Sequence, residues 1–162
     1  MEERTYCLFL VDDSIVNLIV GESILQEKYS VLTIPSGEKL FSAMKKTRPD
    51  MILLDIEMPG MSGFDVIKEL KAAPETKDIP VIFLTGETDP VNEVMGRSLG
   101  AVDYILKPYN PQHLLGKIEL YFRTQKTEPK TGSGNNRVAR KLTELSNKSI
   151  VFFLGLVKHL GS

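Results

Sequence analysis

Five short apolar runs punctuate the first two thirds of the chain: 6–11 (YCLFLV), 30–34 (SVLTI), 51–54 (MILL), 80–84 (PVIFL) and 102–106 (VDYIL). Several are nearly continuous in apolar character rather than alternating, the pattern of strands covered on both faces. Helical patterns separate them. Ser14 precedes Ile15, Leu18 and Ile19, which share one helical face, and Ser36 precedes Leu40, Phe41 and Met44. Ser62-Gly63-Phe64-Asp65 reads as a capping box. Asp89-Pro90 and Asn110-Pro111 each set a capping side chain before a proline suited to a first helical turn. Strict alternation of strand and helix predicts a compact, doubly wound α/β domain, a parallel sheet with helices on both faces. In such sheets ligands bind beyond the carboxyl ends of the strands.

Those positions carry polar residues. Asp12 and Asp13 follow the first strand, Asp55 ends the third, Thr85 ends the fourth and Lys107 follows the fifth. Three carboxylates at one edge repel one another, and burial raises a carboxyl pKa unless a cation is present. Mg²⁺ takes oxygen ligands and is commonly held by one or two carboxylates plus a phosphate. A carboxylate is also a nucleophile that can receive a phosphoryl group. Phosphoryl transfer is mostly positioning and charge neutralisation; a lysine supplies compact positive charge to one phosphate oxygen, and a threonine hydroxyl can donate to another. Each residue alone has a plainer reading. An Asp-Asp pair caps helices, Thr85 and Met58-Pro59-Gly60 suit turns, Lys107 suits a surface strand end, and Tyr104 suits strand packing. Their joint placement at four strand ends favours a site.

Val11-Asp12-Asp13, Leu54-Asp55-Ile56-Glu57-Met58-Pro59-Gly60-Met61-Ser62-Gly63, Leu84-Thr85-Gly86 and Ile105-Leu106-Lys107-Pro108 resemble, in order and spacing, the motifs of bacterial response-regulator receiver domains. The match spans roughly residues 5–123 and is specific as a combination. The resemblance implies a flavodoxin-like (βα)5 fold with sheet order 2-1-3-4-5. It implies that Asp55 is phosphorylated by a sensor histidine kinase or phosphotransfer protein, with Thr85 and Lys107 contacting the phosphoryl group. Mg²⁺, with Mn²⁺ able to substitute, would be held by Asp13, Asp55 and the backbone carbonyl of Glu57, with Asp12 acting mainly through water. Tyr104 stands where the family has its switch aromatic, and Lys107-Pro108 matches the family's cis peptide. The surface of the fourth helix (about 89–98), fifth strand and fifth helix (about 110–122) is where receivers pair or meet outputs. Two positions stay open: Gly86 keeps the phosphoryl group approachable, and the Glu57 side chain either tunes metal affinity or dephosphorylation, or faces solvent.

Two rival classes are weaker. A phosphatase with an aspartyl-phosphate intermediate, of the haloacid dehalogenase type, wants an aspartate two residues after the nucleophile, where this chain has Glu57. A degenerate receiver acting as a constitutive interaction module typically lacks an acidic residue or the lysine, and all are present. No glycine-rich cradle follows the first strand, which disfavours a nucleotide-binding relative.

At 162 residues with 42% hydrophobic positions, the chain suffices for one domain and an appendage. A net charge of −1 provides no basic field for nucleic acid. The lone Cys7 reads as a small buried hydrophobe in a reducing compartment. No apolar run reaches the ~18 residues of a membrane span, and the amino terminus lacks a signal-peptide layout. We therefore expect a cytoplasmic protein with no membrane contact and no separate substrate turnover.

Composition shifts after Phe122. Segment 1–123 reads as the receiver domain, 124–136 as a polar linker or frayed helix end, and 137–162 as an amphipathic, coiled-coil-like helix leading toward an absent output domain. Val138, Leu142, Leu145, Ser149, Phe152, Leu156 and His159 follow a 4-3 spacing, which suits a homodimer through this helix if not through the fourth-helix surface. Leu142-Thr143-Glu144-Leu145 with Ile150 to Leu160 is similar to the connector of receiver-linked HD-GYP phosphodiesterases; no HD or GYP motif is present.

Overall fold

The computed structural model describes residues 4–86 and 90–127. The proposed helix at 137–162, most of the proposed linker, and Asp89 lie outside them. Strands β1 (Cys7–Val11), β2 (Ser30–Ile34), β3 (Met51–Asp55), β4 (Val81–Thr85) and β5 (Asp103–Leu106) alternate with helices α1 (Ile15–Leu25), α2 (Gly37–Met44), α3 (Gly63–Ala72), α4 (Pro90–Ser98) and α5 (Pro111–Thr127). All neighbouring strands are parallel, in the order β2-β1-β3-β4-β5. This is the flavodoxin-like arrangement that the family resemblance implied.

The continuous apolar runs are explained by two cores. Phe9 and Val11, Ile52 and Leu54, and Val81 and Phe83 point to one face, against Leu40, Val66, Ile67 and Leu70 of α2 and α3. Leu8 and Leu10, Met51 and Leu53, and Ile82 and Leu84 point to the other, against Leu18, Leu25, Leu114 and Ile118 of α1 and α5. Successive strand residues alternate between faces, so a central strand with helices on both sides must be apolar at every position.

Helix starts follow the expected capping chemistry. The Ser14 and Ser36 hydroxyls accept from Asn17 N and Lys39 N, and Ser62 and Asp65 form a full capping box. Asn110 Oδ1 accepts from His113 N at 3.1 Å at the start of α5. Three details depart from the sequence reading. In α1 only Leu18 of the Ile15, Leu18, Ile19 stripe is buried; Ile15 and Ile19 are 70% and 61% exposed. That helix is apolar nearly all round, so periodicity could not choose its buried face; a Cβ on Gly21 would lie 2.6 Å from Leu10 Cδ2, and this close approach does. Cys7 is only partly buried, packed at the border of the first core. Helix α5 continues to Thr127, so the first four residues read as linker are helical.

Gly63 sets the path of the loop that leaves Asp55: a Cβ there would meet Asp55 O at 2.3 Å and Ile56 Cα at 2.8 Å. Backbone cannot yield as a side chain can. Gly63→Ala is expected to lower unfolding free energy by about 1–3 kcal/mol in urea titration. Gly116→Ala, on α5 with open space around its Cβ, is expected to raise it by about 0.5–1 kcal/mol; equal effects from both would refute the packing argument.

Candidate functional site

Parallel pairing places every carboxyl end on one edge of the sheet. Val11 pairs with Leu54, Asp55 with Leu84, and Thr85 with Leu106. Asp12, Asp55, Thr85 and Lys107 therefore emerge side by side although they are separated by up to 95 positions. The register, rather than any local motif, assembles the site.

Asp12 is fully buried and Asp55 is 2% exposed. Asp12 Oδ1 accepts from Ser14 N at 2.9 Å, and its Oδ2 accepts from Asn17 Nδ2 at 3.1 Å and Lys107 Nζ at 3.2 Å. Lys107 Nζ also donates to Asp55 Oδ1 at 2.9 Å. Asp13 is exposed at the rim, and carboxylate oxygens of Asp12, Asp13 and Asp55 lie within 4.8 Å of one another. They line a cavity of about 160 Å³ together with Thr85, Asn92 and Lys107. The Thr85 carbonyl accepts from Lys107 N at 2.7 Å, tying β4 to the lysine's backbone. The Lys107–Pro108 peptide is cis. At Gly86 a Cβ would meet no atom of the described residues within 4 Å.

The electrostatics follow from burial. Loss of hydration pushes the Asp55 carboxyl up to about 6; its hydrogen bond to Lys107 opposes this, the Asp12 charge adds to it, the Lys107 charge again opposes, and Asp13 adds a last increment. Burial alone would lower the Lys107 pKa, but its contacts with Asp55 and Asp12 outweigh burial and raise it. With all groups ionised, three carboxylates among the described residues face the Lys107 ammonium, leaving two negative charges that one divalent cation neutralises. A hard oxygen donor set of this kind fits Mg²⁺.

Other expected residues take definite places. Glu57 has an exposed side chain and lines the cavity mouth. Tyr104 is partly exposed on β5, with Arg97 of α4 and Lys117 of α5 over its ring at 5.7 Å and 5.2 Å to the centroid. A hydrogen bond from its hydroxyl to Glu93 leads the causes that raise its pKa. Asp103 accepts from both Arg97 (3.3 Å) and Lys117 (3.0 Å). Three site residues escaped the sequence reading. Asn17 orients Asp12, and its position three residues after the Ser14 cap was a usable signal. The Tyr109 hydroxyl is buried near the site with no hydrogen-bond partner among the described residues; burial, then the Asp12 and Asp55 charges, raise its pKa. Asn92 reaches the cavity from α4, and nothing in its local sequence announces that.

The fold and site define a class, and comparison with known proteins gives the same one. The family described as "Response regulator receiver domain" matches residues 8–119, and the chain belongs to that family of signalling modules from two-component systems. It is 36% identical over 129 residues to a probable cyclic di-GMP phosphodiesterase of Vibrio cholerae, covering 79% of this chain and 29% of that protein. It is 33% identical over 126 residues to the DNA-binding response regulator MtrA of Mycolicibacterium paratuberculosis, covering 78% of this chain and 55% of that one. The chain thus spans only part of these relatives' length. Among solved structures, the chemotaxis protein CheY4 of Vibrio cholerae is similar at a TM-score of 0.69 and 32% identity, covering 72% of this chain and 98% of that one. The BeF3-activated receiver domain of DrrB, a Thermotoga maritima protein, is similar at 0.67 and 27%, covering 74% and 99%.

Saturating Mg²⁺ is expected to raise the thermal midpoint, by the equivalent of about 2.7 kcal/mol at one hundred times the dissociation constant. Asp13→Asn should lose most of this. Because Asp55 must shed its proton to accept the ion, affinity should weaken as pH falls through about 6. A midpoint indifferent to Mg²⁺, or a response constant through that pH window, would remove the cation from the site.

Proposed function

We propose that this chain is a phosphoacceptor switch in which Asp55 takes a phosphoryl group from the phosphohistidine of a sensor kinase or phosphotransfer protein. The observation that carries this reading is a buried Asp55 carboxylate at the floor of an open cavity, with Lys107 Nζ at 2.9 Å and Thr85 on the wall. An Asp55 oxygen attacks phosphorus, the P–N bond breaks, and its electron pair returns to the imidazole. The product is an acyl phosphate. Lys107 holds one phosphoryl oxygen and the Thr85 hydroxyl donates to another. Asp13, Asp55 and the Glu57 carbonyl would hold Mg²⁺, with Asp12 acting through water; when bound, the ion offsets the charge that accumulates on the phosphoryl oxygens.

Phosphorylation acts in this reading as a population shift. A second cavity of about 160 Å³ lies behind Thr85, bordered by Phe83, Gly96, Ala101 and Tyr104. Thr85 drawn toward the phosphoryl group leaves room there for Tyr104 to turn inward. The surface of α4, β5 and α5 then changes shape; Val91, Met95, Leu106 and Leu120 are already exposed on these elements. That surface, or the segment at 137–162, is where the chain pairs or meets its output. Two relatives named for DNA binding and for cyclic di-GMP hydrolysis are longer than this chain, consistent with an output half beyond it, of which an HD-GYP type accords with the first. Among the described residues no helix is long and apolar enough to cross a membrane; we place the chain in the cytoplasm and assign it no nucleic-acid contact of its own.

Acetyl phosphate with Mg²⁺ should add one phosphoryl group, seen by intact mass, and Asp55→Asn should abolish it. An unmodified wild type beside a labelled control receiver would defeat the reading. Lys107→Ala should keep much of the metal binding yet lose the change in amide exchange on phosphorylation. Asp103→Asn releases Arg97 and Lys117 from beside Tyr104 and should speed phosphorylation about two- to fivefold, since exposed pairs are worth roughly 0.2–1 kcal/mol each; a slower rate would mean that these ion pairs do not hold the resting conformer.

A further inference from the structure

Asn92 is the third residue of α4, and side chains in a helix lean toward its amino-terminal end. Here that direction leads to the carboxyl edge of the sheet. Asn92 lines the phosphoacceptor cavity, the cavity behind Thr85, and an outer groove walled by Met58, Pro59 and Phe64. It is partly buried, and its carboxamide makes no hydrogen bond to any described residue. Its donor and acceptor are therefore both available at the cavity.

Among the described residues, the mouth of the phosphoacceptor cavity is lined by those it shares with the outer groove: Asp13, Ile56, Glu57 and Asn92. Asp55 sits at the floor. Phosphoryl displacement runs in line, so the side of phosphorus opposite the Asp55 oxygen faces this mouth, and an attacking water enters there. Asp13 and Glu57 offer carboxylates, which a dianionic phosphoryl group repels unless a cation intervenes, and Ile56 offers nothing polar. Asn92 is neutral and has both a donor and an acceptor.

We propose that Asn92 is a catalytic residue for dephosphorylation: its Nδ2 donates to a phosphoryl oxygen while its Oδ1 accepts from the water that attacks phosphorus. The water oxygen forms the new P–O bond, the bond to the Asp55 oxygen breaks, and the electron pair returns to the Asp55 carboxylate. One water proton stays on the oxygen that becomes part of inorganic phosphate, and the other passes to solvent. Asn92 thereby sets the lifetime of the phosphorylated state from α4, an element whose position the signal itself alters. This inference rests on the phosphoacceptor reading above.

The test uses the full chain charged with labelled acetyl phosphate, freed of donor, and followed for loss of label at fixed Mg²⁺. Asn92→Ala is expected to slow hydrolysis about five- to tenfold, the size of one lost hydrogen bond. Asn92→Asp, which loses the donor and adds a like charge, should be at least as slow. Mg²⁺ affinity of the uncharged alanine variant should stay within about twofold, because the carboxamide contacts only the phosphoryl group and the attacking water. Hydrolysis unchanged in Asn92→Ala overturns the proposal while leaving Asp55 as phosphoacceptor. Hydrolysis and Mg²⁺ binding falling together would mean that Asn92 merely shapes the cavity, and also overturns it. A wild type that accepts no label fails at the earlier reading, and takes this one with it.

Discussion

Two carboxylates stand almost without solvent at the end of a parallel sheet, and one ammonium bridges them. Asp12 and Asp55 are buried, and Lys107 Nζ lies within 3.2 Å of both. Burying like charges together is expensive, and a single lysine leaves the cluster short of positive charge. The rest of the site answers that shortage. Ser14 N and Asn17 Nδ2 spend hydrogen bonds on Asp12, Asp55 holds its proton more tightly than a free carboxyl, and the cavity stays open on the side where a cation and a phosphoryl group would enter. An aspartate in water is a poor phosphate acceptor. In the proposed role, one held at the floor of such a pocket, with Lys107 already beside it and room for a cation, needs little rearrangement to become one.

The same wall joins chemistry to shape. Thr85 borders both the acidic cavity and the one beneath α4, and Asn92 borders both as well. Tyr104 rests between Arg97 and Lys117, which share Asp103. These are partly exposed pairs, each worth roughly 0.2–1 kcal/mol. Charge-assisted hydrogen bonds to a phosphoryl group are worth about 1.5–3 kcal/mol each. In the proposed switch the new contacts therefore outweigh the ion pairs that hold the resting arrangement, and the imbalance is modest enough to be reversible. Gly96 permits the geometry: a Cβ there would lie 2.8 Å from Phe83, so α4 can approach the sheet only because that side chain is missing.

What the sequence by itself determined was everything carried by short-range periodicity. Continuous apolar runs such as MILL and PVIFL announced strands covered on both faces, Ser14, Ser36 and Ser62 marked helix starts, and strict alternation fixed a parallel doubly wound sheet whose carboxyl edge collects Asp12, Asp13, Asp55, Thr85 and Lys107. Tertiary structure alone decided what depends on residues distant in the chain. The buried face of α1 was set by Gly21 against Leu10, because an all-apolar helix carries no directional pattern. The exposure of Cys7 followed from its place at the border of a core, which composition does not encode. The places of Asn92, Tyr109 and the Asp103 ion pairs emerged only once α4 and α5 were packed on the sheet. Local pattern specifies which elements form and where their ends fall; which side chains meet across them is settled by packing, and packing is a property of the whole domain.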